Sequence, residues 1–474
     1  MENPWGRDVS GEKDHIDYAH ELDVAIKPDS TVPLIGKEYG YFSGPGVPLF
    51  SIGGGFLRQA LQQILVSFHA RRGYFIAETP TLASSELFKL SGHMDFYREN
   101  MYVFNIEDRE FTVKPMNCPY HLLIFLSHLA RFRNRVKLPF KIFEMGRVHR
   151  YEPSGSLYGL LRVRGFTQDD AHIITPEGEA ARVISDVFEE MRSLMELVFG
   201  LPIDEGNVRL RLSLSDRSQI GTHFMGSWEE WSAAESALEE IASKIAEKYK
   251  VKVSRGVGEA AFYGPKIDLM MSLRGSSGVK EWQMGTIQFD FNLPRRFKIY
   301  DYVKEIYGDM NVFIIHRALL GSIERFIGGY LEHYKGRLPF SMAPLQVAII
   351  AIKAGGELDV KVEEVSERVK RELLSRGLRV AVKESSRTGL SGDVRLLESS
   401  IKPPLIVYIG PKEVRESTLA VAVYDQRTGR RSNMSVKYGE TLEELMKIIE
   451  EQEKSVREAS GVSPRIPADL SHMV

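Results

Sequence analysis

Near residue 340 the pattern of this chain changes character, and that change constrains the fold more than any other feature. Before it, strand-like runs succeed one another: KIFEMGRVHR and GFTQDDAHII, then AAFYGPKIDLMM and EWQMGTIQFDF. Strands joined without intervening helices pair mainly antiparallel, with helices packed on the sheet. After it, LQVAIIAI, the helical VEEVSERVKRELLSRG, LRVAVKE and PPLIVYIG alternate strand with helix, the pattern of a separate α/β domain. The expected fold class is therefore α/β in the broad α+β sense. Residues 1–50 read as an irregular segment rich in Gly and Pro, 51–340 as the main domain, 341–458 as the second domain and 459–474 as a loose tail.

Local signals fill in this outline. Leu57, Leu61, Ile64 and Phe68 form one stripe of a helix over 56–70. GYFIAETP reads as a strand stopped by Pro80, because proline cannot donate to a sheet ladder. Helices are expected over 176–200 and 229–250. Ser322 is placed to cap a further helix, whose Ile323, Phe326, Ile327, Tyr330 and Leu331 recur at helical spacing.

Charge decides little: 62 Lys plus Arg stand against 64 Asp plus Glu, and a near-neutral total can hide a basic face. A single cysteine excludes an internal disulfide and favours a reducing compartment. The N-terminus lacks a secretory layout and no apolar run is long enough for a membrane helix, so a cytoplasmic protein is expected.

The most chemically loaded stretch is a hairpin from Phe143 to Ile173, turning at Pro153, Gly155 and Gly159 and carrying Arg150, Glu152, Arg162 and Arg164. Arginine forks suit phosphate. By spacing alone, a surface hairpin with compensating ion pairs is the favoured reading, and Cys118 reads as a small buried apolar side chain.

The string HRYEPSGSLYGLLRVRGFTQDDAH resembles the second signature motif of class II aminoacyl-tRNA synthetases, in the form found in threonyl-tRNA synthetases. The resemblance continues in order through DHIDYAHELDV, LFKLSGHMDFY, KPMNCPYH, AAFYGPKIDL, EWQMGTIQFDF and IHRALLGSIERFIGGYLEHY, and the second domain resembles the family's anticodon-binding domain. It implies ATP-dependent activation of L-threonine to the adenylate and its transfer to tRNA(Thr). Arg150 would grip the α-phosphate of ATP, Glu152 the adenine amino group, and Arg162 with Arg325 the γ-phosphate, with Mg2+ bridging phosphate oxygens. Arg325 lies in a first helical turn, where the dipole adds to its charge.

The resemblance also implies one catalytic-site Zn2+ held by Cys118, His172 and His316. One Cys and two His leave a position open, as in a working zinc rather than a structural one. Such a zinc would bind the amino group and the side-chain hydroxyl of threonine, and so reject valine, which a hydrophobic pocket separates by only about a hundredfold. Asp170, Tyr263, Gln283, Lys266, Gln288, Gln168 and Met116 match positions around the amino acid and adenylate. His93 matches a residue near the terminal ribose of the tRNA. His69, His121 and His149 are given no role. Met284 departs from a frequent cysteine.

Serine differs from threonine by one methyl, worth about 1–3 kcal/mol. The chain opens shortly before the family block, so an N-terminal editing domain is expected to be missing and a separate protein to clear seryl-tRNA(Thr) in trans. Arg387, Arg395, Glu413 and Arg427 are the nearest matches to anticodon-reading residues, although Asp393 departs from a common lysine. The segment 56–80 matches the class II dimer motif, implying a homodimer. The alternatives are a prolyl- or seryl-type relative, or a non-catalytic synthetase-like protein that binds tRNA or regulates another enzyme.

Overall fold

An eight-stranded sheet organises residues 69–329. Its strand order is Lys252–Val257, Val208–Leu214, Lys266–Gly275, Gly278–Asp290, Val312–Ser322, Gly165–Pro176, Phe140–His149 and Phe75–Ile76. All neighbours are antiparallel except the two edge pairs, which are parallel. This is a computed structural model that describes residues 13–26, 32–34, 37–39, 44–275, 278–386, 388–425 and 428–474. The chain divides into two units, one built from the described residues 44–47 and 69–329, the other from the rest.

In the first unit, period-two alternation explains which face of the sheet does what. Helix Ala180–Ser193 packs on one face through Val183, Ile184 and Val187. On the other, helix Cys118–Phe132 lays Leu122, Phe125 and Leu129 over Phe140, Ile142, Ile174, Val312 and Ile314. Each of these three fully buried side chains contributes about 1.5–3 kcal/mol. The stripe also fixes the helix's N-terminus, with Cys118 as its first residue, against the middle of the sheet. Helix Trp228–Tyr249 starts with a reciprocal capping box between Ser227 and Glu230.

The second unit carries a six-stranded mixed sheet in the order Arg431–Lys437, Thr418–Tyr424, Leu405–Ile409, Val347–Lys353, Arg379–Ser386 and Ala468–Asp469. Val362, Val369 and Leu373 of helix Asp359–Ser375, with Leu445 and Ile449 of helix Glu443–Ser460, cover one face.

Several expectations need correction. The segment expected to be irregular contains helix His15–Glu21, capped by Asp14 and tied through His15 Nδ1 to Glu332 at 2.7 Å, and a short strand pair at Val32–Leu34 and Lys37–Tyr39. The end of the chain is not loose: Ala468–Asp469 pairs with Arg379–Val380 and Leu470 is buried, because a free sheet edge and an apolar groove were available to it. The strand expected over 260–271 begins only at Lys266. Ala261 and Gly264 form a tight turn first, since Pro265 cannot donate and Gly264 lies so close to the Phe289 carbonyl that a Cβ would meet it at 1.8 Å.

Candidate active site

Sheet register assembles the site. Antiparallel partners share a face, and one row across the strands runs Ser213, Lys266, Gln288, His316, His172 and Ile142. The next row runs Arg211, Asp268, Thr286, Ala318, Asp170 and Glu144. Residues dispersed through the chain thus lie side by side beneath a cavity of about 500 Å³.

In the lining of that cavity Cys118, His172 and His316, all buried, bring their ligand atoms within 4.8 Å of one another. A tetrahedral zinc needs its ligand atoms about 3.3–3.6 Å apart, given bonds of about 2.0–2.3 Å, so the three are within about an ångström of closing on one ion. The imidazoles are oriented for it. His316 Nε2 hydrogen-bonds Asp290 Oδ2 at 2.8 Å, leaving Nδ1 inward, while His172 Nδ1 meets His121 Nδ1 at 2.8 Å, leaving Nε2 inward. Burial, then His316 and His121, push His172 well below its ordinary pKa and keep it neutral, as a ligand must be. Burial, then the Asp170 and Asp290 charges, raise the Cys118 thiol. A divalent cation reverses that balance, helped by the helix N-terminus at which the thiol sits.

Asp170 is held beside this cluster by Asn117 Nδ2 at 2.8 Å. Asn117 precedes the Cys118 helix but makes no cap, because its side chain is turned to that carboxylate. Gly146 makes the reach possible: a Cβ there would meet Asn117 Nδ2 at 2.2 Å. Tyr263 stacks on His316 with ring centroids 4.6 Å apart and donates to Gln288 Oε1. Gln168 and Met116 also line the cavity.

Arginines converge on the same cavity. Arg325 Nε donates to Leu161 O at 2.9 Å and Nη1 to Gln283 O at 3.2 Å, and its own amide is capped by Ser322 Oγ at 3.2 Å. Burial, then the neighbouring Arg162 and Arg150, lower its pKa, the signature of cations converging where an anion is wanted. Gly321 (φ +74) turns the chain into this helix, and a Cβ there would meet Met284 O at 2.2 Å. Arg150 donates through Nε to Pro115 O at 3.2 Å and lies 5.2 Å from the Phe166 ring centroid. Arg162 makes a two-nitrogen contact with Glu152 Oε2, at 3.0 and 2.8 Å. Asp268, wholly buried, accepts from Lys266, Gln283, Thr286 and Ser213.

All the nominated catalytic-domain residues line this cavity except His93. That ring lies behind the wall with no exposure, Nδ1 on Ser91 Oγ at 2.8 Å and Nε2 facing Met116 Sδ at 3.1 Å and Cys118 Sγ at 3.6 Å. Burial lowers its pKa to about 3. In the second unit, Arg387 and Arg427 fall outside the described residues. Arg395 is exposed on helix Leu390–Leu396, whereas the Glu413 carboxylate is engaged by the Gly410 amide at 3.0 Å, closing its own helix. Sequence reasoning missed Asn117, His121, Glu144, Asp268 and Asp290. The one available signal was a lone acid in the apolar runs KIDLMM and QFDF, since a buried carboxylate requires partners.

Comparison with known proteins finds relatives along nearly the whole chain. Residues 102–334 match the family described as tRNA synthetase class II core domain (G, H, P, S and T), and 346–452 match the anticodon binding domain family. The chain is 58% identical to the threonine–tRNA ligase catalytic subunit of Aeropyrum pernix, over 98% of this chain and 99% of that protein. It is 35% identical to the threonine–tRNA ligase of Clostridioides difficile, over 97% of this chain and 67% of that one. The crystal structure of threonyl-tRNA synthetase ThrRS-1 from Aeropyrum pernix superposes with a TM-score of 0.92 at 58% identity, covering 98% of this chain and 100% of that one.

Proposed function

Since the chain belongs to the threonine–tRNA ligases of the class II aminoacyl-tRNA synthetases, we propose that this cavity joins L-threonine to ATP and passes the threonyl group to the 3′ end of tRNA(Thr). The observation that carries the reading is one cavity lined by converging guanidiniums and by a Cys/His/His cluster.

The threonine carboxylate attacks the α-phosphorus of ATP as the bond to pyrophosphate breaks. A 3′-terminal hydroxyl of the tRNA then takes the threonyl group from the adenylate as AMP leaves. Mg2+ carried by ATP would offset the charge of the departing pyrophosphate. Arg150 neutralises the charge that builds on the α-phosphate, and a cation fixed in advance costs no reorganisation at that moment. Arg325 and Arg162 hold the γ-phosphate end. Glu152 and Gln283 serve the nucleotide, and Lys266, beside Gln283 on Asp268, serves the adenylate. Asp170 orients the substrate ammonium, Tyr263 and Gln288 close the side-chain pocket, and Gln168 and Met116 line it. When bound, zinc supplies Lewis-acid ligation of an amine and an alcohol, the chemistry by which threonine differs from valine. His93, neutral behind the metal wall, acts at the terminal ribose only if Met116 moves aside.

Serine lacks only a methyl, so this pocket activates it too, and a separate trans-editing protein removes the product. A homodimer is supported by Phe75 and Ile76, exposed on the edge strand, and by exposed Leu123 and Phe132 on the Cys118 helix. The anticodon is read on the second unit, with Arg395, which is exposed, and Arg387 and Arg427 as contacts and Glu413 in a supporting place. No described helix is long and apolar enough to cross a membrane, and a cytoplasmic place of work follows from the tRNA substrate.

The test is ATP–pyrophosphate exchange with threonine, valine, serine and proline, before and after zinc chelation. Exchange with threonine and serine but not valine, lost on chelation, is expected. Exchange with proline and none with threonine would overturn the assignment.

A further inference from the structure

The two imidazoles of the metal cluster are supported unequally. His316 has a carboxylate directly behind it, Asp290, whose other oxygen accepts from the Asn292 and Leu293 amides at 2.8 and 2.9 Å. Behind His172 stands another imidazole. His121, on the first turn of the Cys118 helix, presents Nδ1 to His172 Nδ1 at 2.8 Å and Nε2 to Glu144 Oε2 at 3.1 Å. Glu144 is in turn held by Thr79 N at 3.0 Å, Thr79 Oγ1 at 2.9 Å and Lys114 Nζ at 3.3 Å, and Lys114 is itself only 1% exposed.

Proton bookkeeping gives this chain a direction. An ionised Glu144 can only accept, so His121 donates through Nε2–H. A neutral His121 then has a bare Nδ1, which can only accept, so His172 donates through Nδ1–H. The remaining nitrogen of His172, Nε2, keeps its lone pair on the cavity side. The reverse tautomer would put a proton there and block a metal. The row of cross-strand partners explains why an intermediary is needed: Glu144 pairs with Asp170, one register step from His172, so its carboxylate reaches that ring only through His121.

We propose that His121 is a positioning residue for metal binding, transmitting the charge of Lys114-anchored Glu144 to His172 and fixing the tautomer in which Nε2 is the ligand. This rests on the zinc reading above. Supporting groups of this kind change metal affinity by about 10- to 100-fold.

The experiment is chelator-competition titration of zinc into full-length apo-protein, together with the cobalt(II) absorption spectrum and a melting curve in excess chelator. Wild type comes first: if it binds no zinc, the zinc reading and this inference fall together. Given wild-type binding, His121→Phe is expected to lose about 10- to 100-fold in affinity and to alter the cobalt bands. His121→Asn, whose side-chain oxygen can take the place of Nδ1 as acceptor but loses the link to Glu144, is expected to recover part of that loss by keeping Nε2 as the ligand. An affinity for His121→Phe within about threefold of wild type overturns the inference while leaving the zinc reading intact. So does an equal loss in both variants, which marks a packing role. If His121→Phe does not fold, Glu144→Gln decides: a loss of at least about fivefold supports the relay and an unchanged affinity refutes it.

Discussion

Replacing Arg150 by glutamine separates the cavity's electrostatics from its architecture. Among the described residues the guanidinium makes one hydrogen bond, to Pro115 O at 3.2 Å, and stacks loosely on Phe166 and Tyr97 at 5.2 and 5.8 Å. Those contacts are worth about 1 kcal/mol for the hydrogen bond and about as much for the rings, and relief of repulsion from Arg325 offsets part of the loss. The melting temperature should therefore fall by no more than about 4 °C. The effect on a bound phosphate is larger. Two unit charges about 4 Å apart at an effective dielectric of about 20 attract by about 4 kcal/mol, equivalent to about a thousandfold in rate. Part of this is already felt by ground-state ATP and appears in KM, so a fall of about 10²–10³ in kcat/KM is expected. The assay is threonine-dependent pyrophosphate exchange at several ATP concentrations, with melting measured in parallel. Arg150→Lys, which keeps the charge without the fork, should lie between. A kcat/KM for Arg150→Gln within about tenfold of wild type, at unchanged melting temperature, would refute the reasoning.

Cys118→Ser should reduce bound zinc from about one per chain to a trace by elemental analysis, because the thiolate is the only anionic ligand of the three. Asp268→Asn leaves Lys266 and Arg211 without their buried counter-charge, and should lower the melting temperature by on the order of 10 °C and slow exchange, since breaking a buried network costs about 3–5 kcal/mol. In the second unit, burial lowers the pKa of Lys402, over the Tyr18 ring, from 10.5 to about 8. The folded state then binds fewer protons than the unfolded one between these values, so stability rises with pH across that window. Denaturant unfolding should show wild type gaining up to about 3 kcal/mol on Lys402→Met from pH 8 to 10.5, and parallel curves for the two proteins would rule this out.

Some of this protein was determined by the sequence alone, because the determining interactions are local. Period-two alternation in GFTQDDAHII dictates that Gln168, Asp170 and His172 share a face, and helical spacing after Ser322 dictates the capped helix that carries Arg325. The ordered motifs likewise nominated Cys118, His172 and His316 as one set, together with the arginines. What only the tertiary structure decided are the partners. Register across the sheet placed Gln288 beside His316 and His316 beside His172. Packing of one helix brought Cys118 and His121 to them. Burial then settled which groups carry charge and which ring nitrogen faces inward, and it moved His93 off the cavity wall. Hydrogen-bond partners and desolvation depend on distance in space, and neither leaves a mark in the spacing of letters along a chain.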